Sequence, residues 1–212
     1  LLMICGALFA PWLAPLNPFD LASLDLNDSL LPPAWAAQGQ GKYVLGTDDQ
    51  GRDVLSTILY GSRISLLVGF SSVLLAMFLG VGLGLLSGFL GGRLDAIIMR
   101  IADVQLSFPA ILIALLIDGV ARVVFADQGH GDQMAILVLI GSISLANWVS
   151  YARTVRGSTL VEKNKEYVQA ARVIGVPAIA IMIKHVLPNV MGPVLVIATI
   201  NIATAIITEA TL

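Results

Sequence analysis

Charge is what this chain has least of. Lys and Arg number 12 and Asp and Glu 14 among 212 residues, so charged side chains make up 12% of the sequence, against about 25% in a soluble domain. Hydrophobic residues make up 57% and the mean hydropathy is +0.88. Soluble packing cannot hide so much apolar surface, so the expected surroundings are a lipid bilayer. The single cysteine, Cys5, sits in an apolar run, which excludes an intrachain disulfide or a thiolate zinc site. The two histidines, His130 and His185, are expected on opposite sides of the membrane, so no metal site is assigned. No basic tract with interleaved aromatics points to nucleic acid. The phosphate loop Gly-x-x-x-x-Gly-Lys-Ser/Thr, the Gly-x-Ser-x-Gly elbow and the His-Glu-x-x-His pair are also missing. No residue is therefore assigned to catalysis, and an intramembrane enzyme lacks a nucleophile–base or metal constellation.

What the chain does have is length without charge. A helix crosses a bilayer with ~20 mainly apolar residues. Residues 1–19 carry no charge and are expected as the first span, ending near Pro15 to Pro18. Ile64 to Gly92 runs 29 residues uncharged. The third stretch, Arg100 to Ile117, is interrupted by Asp103, Gln105 and Pro109 and is expected to kink or to line a polar path. Gln133 to Ala152 is uncharged over 20 residues, with Trp148 and Tyr151 near its end, where aromatic rings favour the interface. Pro188 to Thr208 gives the fifth, followed by Glu209. Both ends of the sequence fall inside apolar runs, so it reads as a fragment of a longer chain.

The charges between these stretches sort by side. Residues 20–63 hold six Asp against Lys42, Arg52 and Arg63, and residues 118–132 hold three Asp against Arg122. Residues 153–184 hold six Lys or Arg. Positive residues stay in the cytoplasm, so the acidic segments face outward, the basic loop faces inward, and the N-terminus is expected inside. The expected division is a first span over 1–19, an outer segment over 20–63 and a transmembrane domain over 64–212. In the outer segment Thr47 and Gln50 have the spacing of a capping box. Val54, Leu55, Ile58 and Leu59 then recur at helical spacing, as in an interfacial helix. The Asp48 to Asp53 cluster lacks calcium-loop spacing, so Arg52 is expected in local salt bridges.

The inner loop is the most informative segment. Glu162 to Ile174 is rich in helix formers, and the small Ala170 and Ala171 let another surface come close. Gly175 and Pro177 end that helix, Ala178 to Val186 can form a second, and Pro188 opens the next span. The expected result is a bent elbow joined to membrane helices at both ends.

Gln169-Ala170-Ala171, Gly175 four residues on, and His185-Val186-Leu187-Pro188 resemble the Glu-Ala-Ala loop of permease subunits of binding-protein-dependent ABC importers. Gln169 stands where that family places Glu, and His185 where it places Ile. Glu166-Tyr167-Val168, Leu45-Gly46-Thr47-Asp48 with Gly51-Arg52-Asp53, Leu106-Ser107-Phe108-Pro109 and Glu209-Ala210-Thr211-Leu212 are similar to the peptide and nickel branch. The resemblance runs from about Leu45 to the end. It implies an all-α polytopic helical bundle in the inner membrane, with five spans visible of six and the sixth beyond Leu212. It implies transport of a di- or oligopeptide or nickel without chemical change in the solute. The implied partners are a homologous second permease subunit, two ATP-binding subunits, a periplasmic solute-binding protein and membrane lipid. No cofactor is expected on this chain, since ATP and Mg would bind the ATPase subunits. Glu166, Tyr167, Gln169, Ala170, Ala171, Gly175, His185, Leu187 and Pro188 would form the coupling loop. Gly46, Thr47, Asp48, Gly51, Arg52 and Asp53 would form a periplasmic motif. An ion-driven secondary transporter or channel is the other reading; its usual mark, paired broken helices in symmetric halves, is not seen.

Two further groups come from the residues alone. Ala76, Gly80, Gly84, Gly88 and Gly92 recur every four residues, a small-xxx-small face for close helix packing. Asp103, Gln105 and Glu209 are polar within apolar stretches, where charge is costly and faces a cavity or a partner. They are candidates for a translocation path, against pairing of Asp103 with Arg100 or Arg93, helix–helix hydrogen bonds from Gln105, and an outer-end position for Glu209.

Overall fold

Apolar length sets the architecture: backbone groups in a bilayer must be satisfied within the segment, and a helix does this alone. The computed structural model describes residues 2–18, 20, 25–125 and 131–211, and helix is its dominant element, with no strand among the described residues. His130 lies outside the described residues. Among the described residues, three helices are long and apolar enough to cross a membrane: Val54–Leu90, Gln133–Glu162 and Ala178–Glu209. A bent pair adds a fourth if it is taken as one span. The chain divides into two units, Leu1–Leu67 and Val68–Leu212.

In the first unit the apolar start forms α1, Leu2–Leu8, and α2, Ala10–Leu13, where one long span was expected. Pro11 has no N–H to give back to the preceding turn, and the helix ends at Ala14, ahead of Pro15. A 3₁₀ turn, Leu26–Asp28, follows. The irregular segment after it is tied by Tyr43, which is fully buried and donates to Asp28 at 2.7 Å. Thr47 donates to the Asp28 carbonyl and accepts the Leu31 N–H at 2.8 Å. Gly46 stands at φ 82°, and a methyl group there would lie 2.3 Å from the Leu31 carbonyl. Asp48 closes the next turn by accepting the N–H groups of Gln50 and Arg52 and the Arg52 Nε, at 2.9, 2.9 and 2.6 Å. Burial works against its charge, but these bonds outweigh it and hold the carboxyl below the usual range.

Thr47 and Gln50 therefore do not start the next helix. Asp53 does, taking the Ser56 N–H at 2.8 Å and the Ser56 hydroxyl at 2.5 Å. From it runs α3, Val54–Leu90, 37 residues long. The expected interfacial helix and second span are one continuous rod, because nothing between Ile58 and Ile64 breaks helical backbone. At ~1.5 Å per residue its length exceeds a ~30 Å hydrocarbon core.

In the second unit α3 ends at Leu90, and Gly91 and Gly92 follow it at positive φ, so Gly92 leaves the four-residue stripe. Next come α4, Gly92–Leu106, and α5, Ala110–Phe125. They meet at 94°, broken at Ser107, Phe108 and Pro109, so the third expected span is not straight. Then follow α6, Gly131–Glu162, α7, Glu166–Val173, and α8, Ala178–Ile181. A π-helical turn, Met182–Val186, leads into α9, Leu187–Glu209. The largest core cluster joins Val73 and Phe89 of α3, Val155 of α6, Val168 of α7 and Val190 of α9.

The small-residue stripe of α3 packs on α6. A methyl group at Gly80 would lie 2.5 Å from the Trp148 carbonyl, at Gly84 2.4 Å from the Ala152 carbonyl, and at Gly88 2.7 Å from Thr159 Cβ. Ala76 is 1% exposed. This is close packing within one chain.

Candidate functional site

α6 carries its helix ten residues past Ala152, to Glu162, so Arg153 and Arg156 belong to a helix and not to the inner loop. There they meet α4. Arg156 holds Asp95 with two bonds, Nε to Oδ1 at 2.5 Å and Nη2 to Oδ2 at 2.7 Å, and the Ser87 hydroxyl donates to the same carboxylate. Arg153 pairs with Asp103. That corrects the expected pairing of Asp103 with Arg100 or Arg93. Gln105 donates to the Leu145 and Ala146 carbonyls at 2.7 and 3.0 Å and accepts from Trp148 Nε1 at 2.9 Å. Asp103 and Gln105 thus both fasten α4 to α6, whereas Glu209 is the last residue of α9. The three do not form one polar group.

The inner loop is shorter than its composition suggested. Residues 163–165 make a turn, and α7 begins at Glu166, where a carboxylate favours the positive end of the helix. The helix ends in a Schellman motif: Val176 N–H bonds the Ala171 carbonyl and Gly175 N–H the Arg172 carbonyl, both at 3.0 Å. Gly175 has φ 86° and open space around it, so its conformation, and not crowding, requires glycine.

α7 has two faces. Val168 is fully buried and Ala171 is 6% exposed, both against the main core. Ala171 therefore packs inward and does not offer itself to another surface. Glu166, Gln169 and Ala170 are exposed on the other side. At its end Val173 and Ile174 are 88% and 80% exposed, at the helical spacing that continues this outer stripe.

Tyr167 fixes this helix to its neighbours. Its hydroxyl donates to Glu162 at the end of α6 and accepts from Asn189 of α9 at 3.0 Å. Asn189 also donates to the His185 carbonyl at 2.7 Å, and the His185 ring lies 6.4 Å from that of Tyr167. Burial and the facing Glu162 carboxylate push the Tyr167 phenol above its ordinary range. Lys163 reaches back to the Gly88 carbonyl at 2.7 Å, and Arg172 stacks over the Phe89 ring at 5.0 Å. Leu187 packs on the core, and the exposed Pro188 lies in the first turn of α9. Tyr167→Phe is expected to lower stability by about 0.5–1.5 kcal/mol, seen as a fall in the unfolding midpoint of purified protein. No fall would mean that Glu162 and Asn189 hold the loop without it.

Sequence reading placed Glu166, Tyr167, Gln169, Ala170, Ala171, Gly175, His185, Leu187 and Pro188 together, and they do form one bent connector. It missed Asn189, Arg172 with Phe89, and the exposed pair Val173 and Ile174. The signal for Val173 and Ile174 was the amphipathic pattern of α7, legible only once the turn at 163–165 sets its register; Asn189 and Phe89 lie on α9 and α3 and reach α7 only in the fold. The outer motif, Gly46, Thr47, Asp48, Gly51, Arg52 and Asp53, forms the turn described above, with Arg52 on Asp48 as expected.

Residues 80–212 match the family model of the binding-protein-dependent transport system inner membrane component. The chain is 38% identical over its whole length to a di/tripeptide transport system permease protein of Pseudomonas aeruginosa, of which it covers 65%. It is 38% identical to a dipeptide transport system permease protein of Haemophilus influenzae, over 97% of this chain and 65% of the relative. With an oligopeptide transport system permease protein of Bacillus subtilis it shares 35% identity, over 99% of this chain and 62% of the relative. The chain thus spans less than two thirds of the length of these relatives.

Proposed function

Since this chain belongs to the family of binding-protein-dependent transport system inner membrane components, we propose that it is the membrane permease subunit of an ATP-driven importer of di- or oligopeptides. The names of its relatives favour peptides over nickel. The observation that carries the coupling role is α7, a helix pinned to α3, α6 and α9 on one side with Gln169, Ala170, Val173 and Ile174 exposed on the other.

Such a helix is a lever. A nucleotide-hydrolysing subunit gripping the outer face of α7 moves the Glu162–Tyr167–Asn189 junction, and with it the inner ends of α6 and α9. Spans that rock together expose a central path first to one side and then to the other, and the peptide crosses unchanged. The chain itself carries no catalytic step. In this scheme it pairs with a homologous permease, two ATP-binding subunits and a solute-binding protein on the outer face of the inner membrane, its own N-terminus lying in the cytoplasm.

The test is uptake. In vesicles holding the complete complex, labelled dipeptide should accumulate only with ATP inside and binding protein outside. Uptake that continues without ATP and collapses with the ion gradient would instead establish a secondary transporter.

A further inference from the structure

Among the helices of the second unit lies a small cavity bordered by Ser72 of α3, Asn147 and Tyr151 of α6 and Asn201 of α9, with Val73 and Ile143 as apolar wall. It leaves about 10 Å³ for the centre of a solvent molecule, room for about one water. Three polar atoms at this place, Ser72 Oγ, Tyr151 Oη and Asn201 Nδ2, are buried with no well-formed hydrogen bond in the protein, although the Asn201 amide lies near the Tyr151 hydroxyl. Ser72 and Tyr151 are both fully buried. Nearby, the Asn147 amide N–H donates to the Ile143 carbonyl at 2.9 Å, and Ser144 donates to the Ser72 carbonyl at 3.0 Å.

A buried donor or acceptor left bare costs about 1–3 kcal/mol, and hydrocarbon offers no replacement. Three such groups from three helices, converging on one water-sized space, call for a shared partner. Two hydroxyls and an amide make it a small neutral group that both donates and accepts. No carboxylate lines the cavity, so a cation would find no countercharge.

We infer that this cavity is a binding site for one water molecule, which accepts from Asn201 Nδ2 and Tyr151 Oη, donates to Ser72 Oγ, and so forms a contact that yields when α9 moves against α3 and α6. The moving role rests on the proposed transport function; the site itself does not. A water can change partners within its cavity, so the helices can shift without leaving a polar group bare. A direct side-chain bond would have to break.

The test is a mutant cycle on the full chain in lipid nanodiscs: Ser72→Ala, Tyr151→Phe, Asn201→Leu and the triple variant. Each single change should lower the unfolding midpoint, because it strands the remaining groups. The triple change should lower it by less than the sum of the three, since an apolar set strands nothing. Strictly additive falls would overturn the shared water. Radiolytic hydroxyl labelling should oxidise Tyr151 in the unmodified protein despite its burial, and an unlabelled Tyr151 would also overturn it. In the assembled complex the triple variant should still co-isolate with the ATPase subunits yet transport at least fivefold more slowly. Unchanged transport would remove the moving role and leave the water site standing. If the unmodified complex does not transport at all, the functional reading fails, while the midpoint cycle still decides the site.

Discussion

Gly84→Leu is expected to prevent stable folding, whereas Gly82→Leu, two residues away on the same helix, leaves the protein intact. A Cβ at Gly84 would lie 2.4 Å from the Ala152 carbonyl oxygen and 3.0 Å from both Ala152 Cα and Val155 Cβ. Two of these three are backbone atoms of α6, so no rotamer change relieves the contact and the two helices must separate. Overpacking usually costs about 1–3 kcal/mol, and a backbone obstacle places this case at or beyond the top of that range. A Cβ at Gly82 meets nothing within 4 Å, and replacing a glycine within a helix recovers up to about 1 kcal/mol. Thermal unfolding and the monodisperse fraction in detergent would compare them. Equal behaviour of the two variants would show that α3 and α6 do not meet along this stripe.

The second large effect falls on assembly. Val173→Asp with Ile174→Asp should reduce co-isolation of the proposed ATPase subunits at least tenfold, a change of about 1.4 kcal/mol or more. Both side chains are more than three-quarters exposed, so the fold should change by no more than ~0.5 kcal/mol. Exposed apolar side chains at the centre of a contact carry much of its energy, and a carboxylate there would be buried without a partner. Ala171→Phe is the informative contrast. It enlarges a residue that is 6% exposed and packed on the core, so its damage should appear first in the unfolding midpoint. Full assembly by the double Asp variant would remove the outer face of α7 as the docking surface.

Much of this was legible because the bilayer imposes simple rules. Runs without charge over Ile64 to Gly92, Gln133 to Ala152 and Pro188 to Thr208 mark α3, α6 and α9, but α3 begins ten residues earlier and α6 ends ten residues later than those runs. Glycines every four residues announced a packing face, and Gly175 with Pro177 marked the end of α7. Arg153 and Arg156 were misplaced for a physical reason. Arginines at the end of an apolar run look like loop residues until Asp103 and Asp95, some 50 and 61 positions away, are brought beside them. Ala171 was misjudged similarly, since a small residue suits either face of a short helix. Pro11 interrupts an apolar stretch that composition alone read as one span.

The amino-acid order by itself determined that the chain is built of apolar helices and that a bent connector precedes Pro188, because charge-free length and turn residues act locally. Only the tertiary structure decided which face of that connector is free, which carboxylates Arg153 and Arg156 hold, and where three polar groups meet between helices. Those depend on the rotation of one helix against another, and that rotation is set by contacts between residues far apart in sequence.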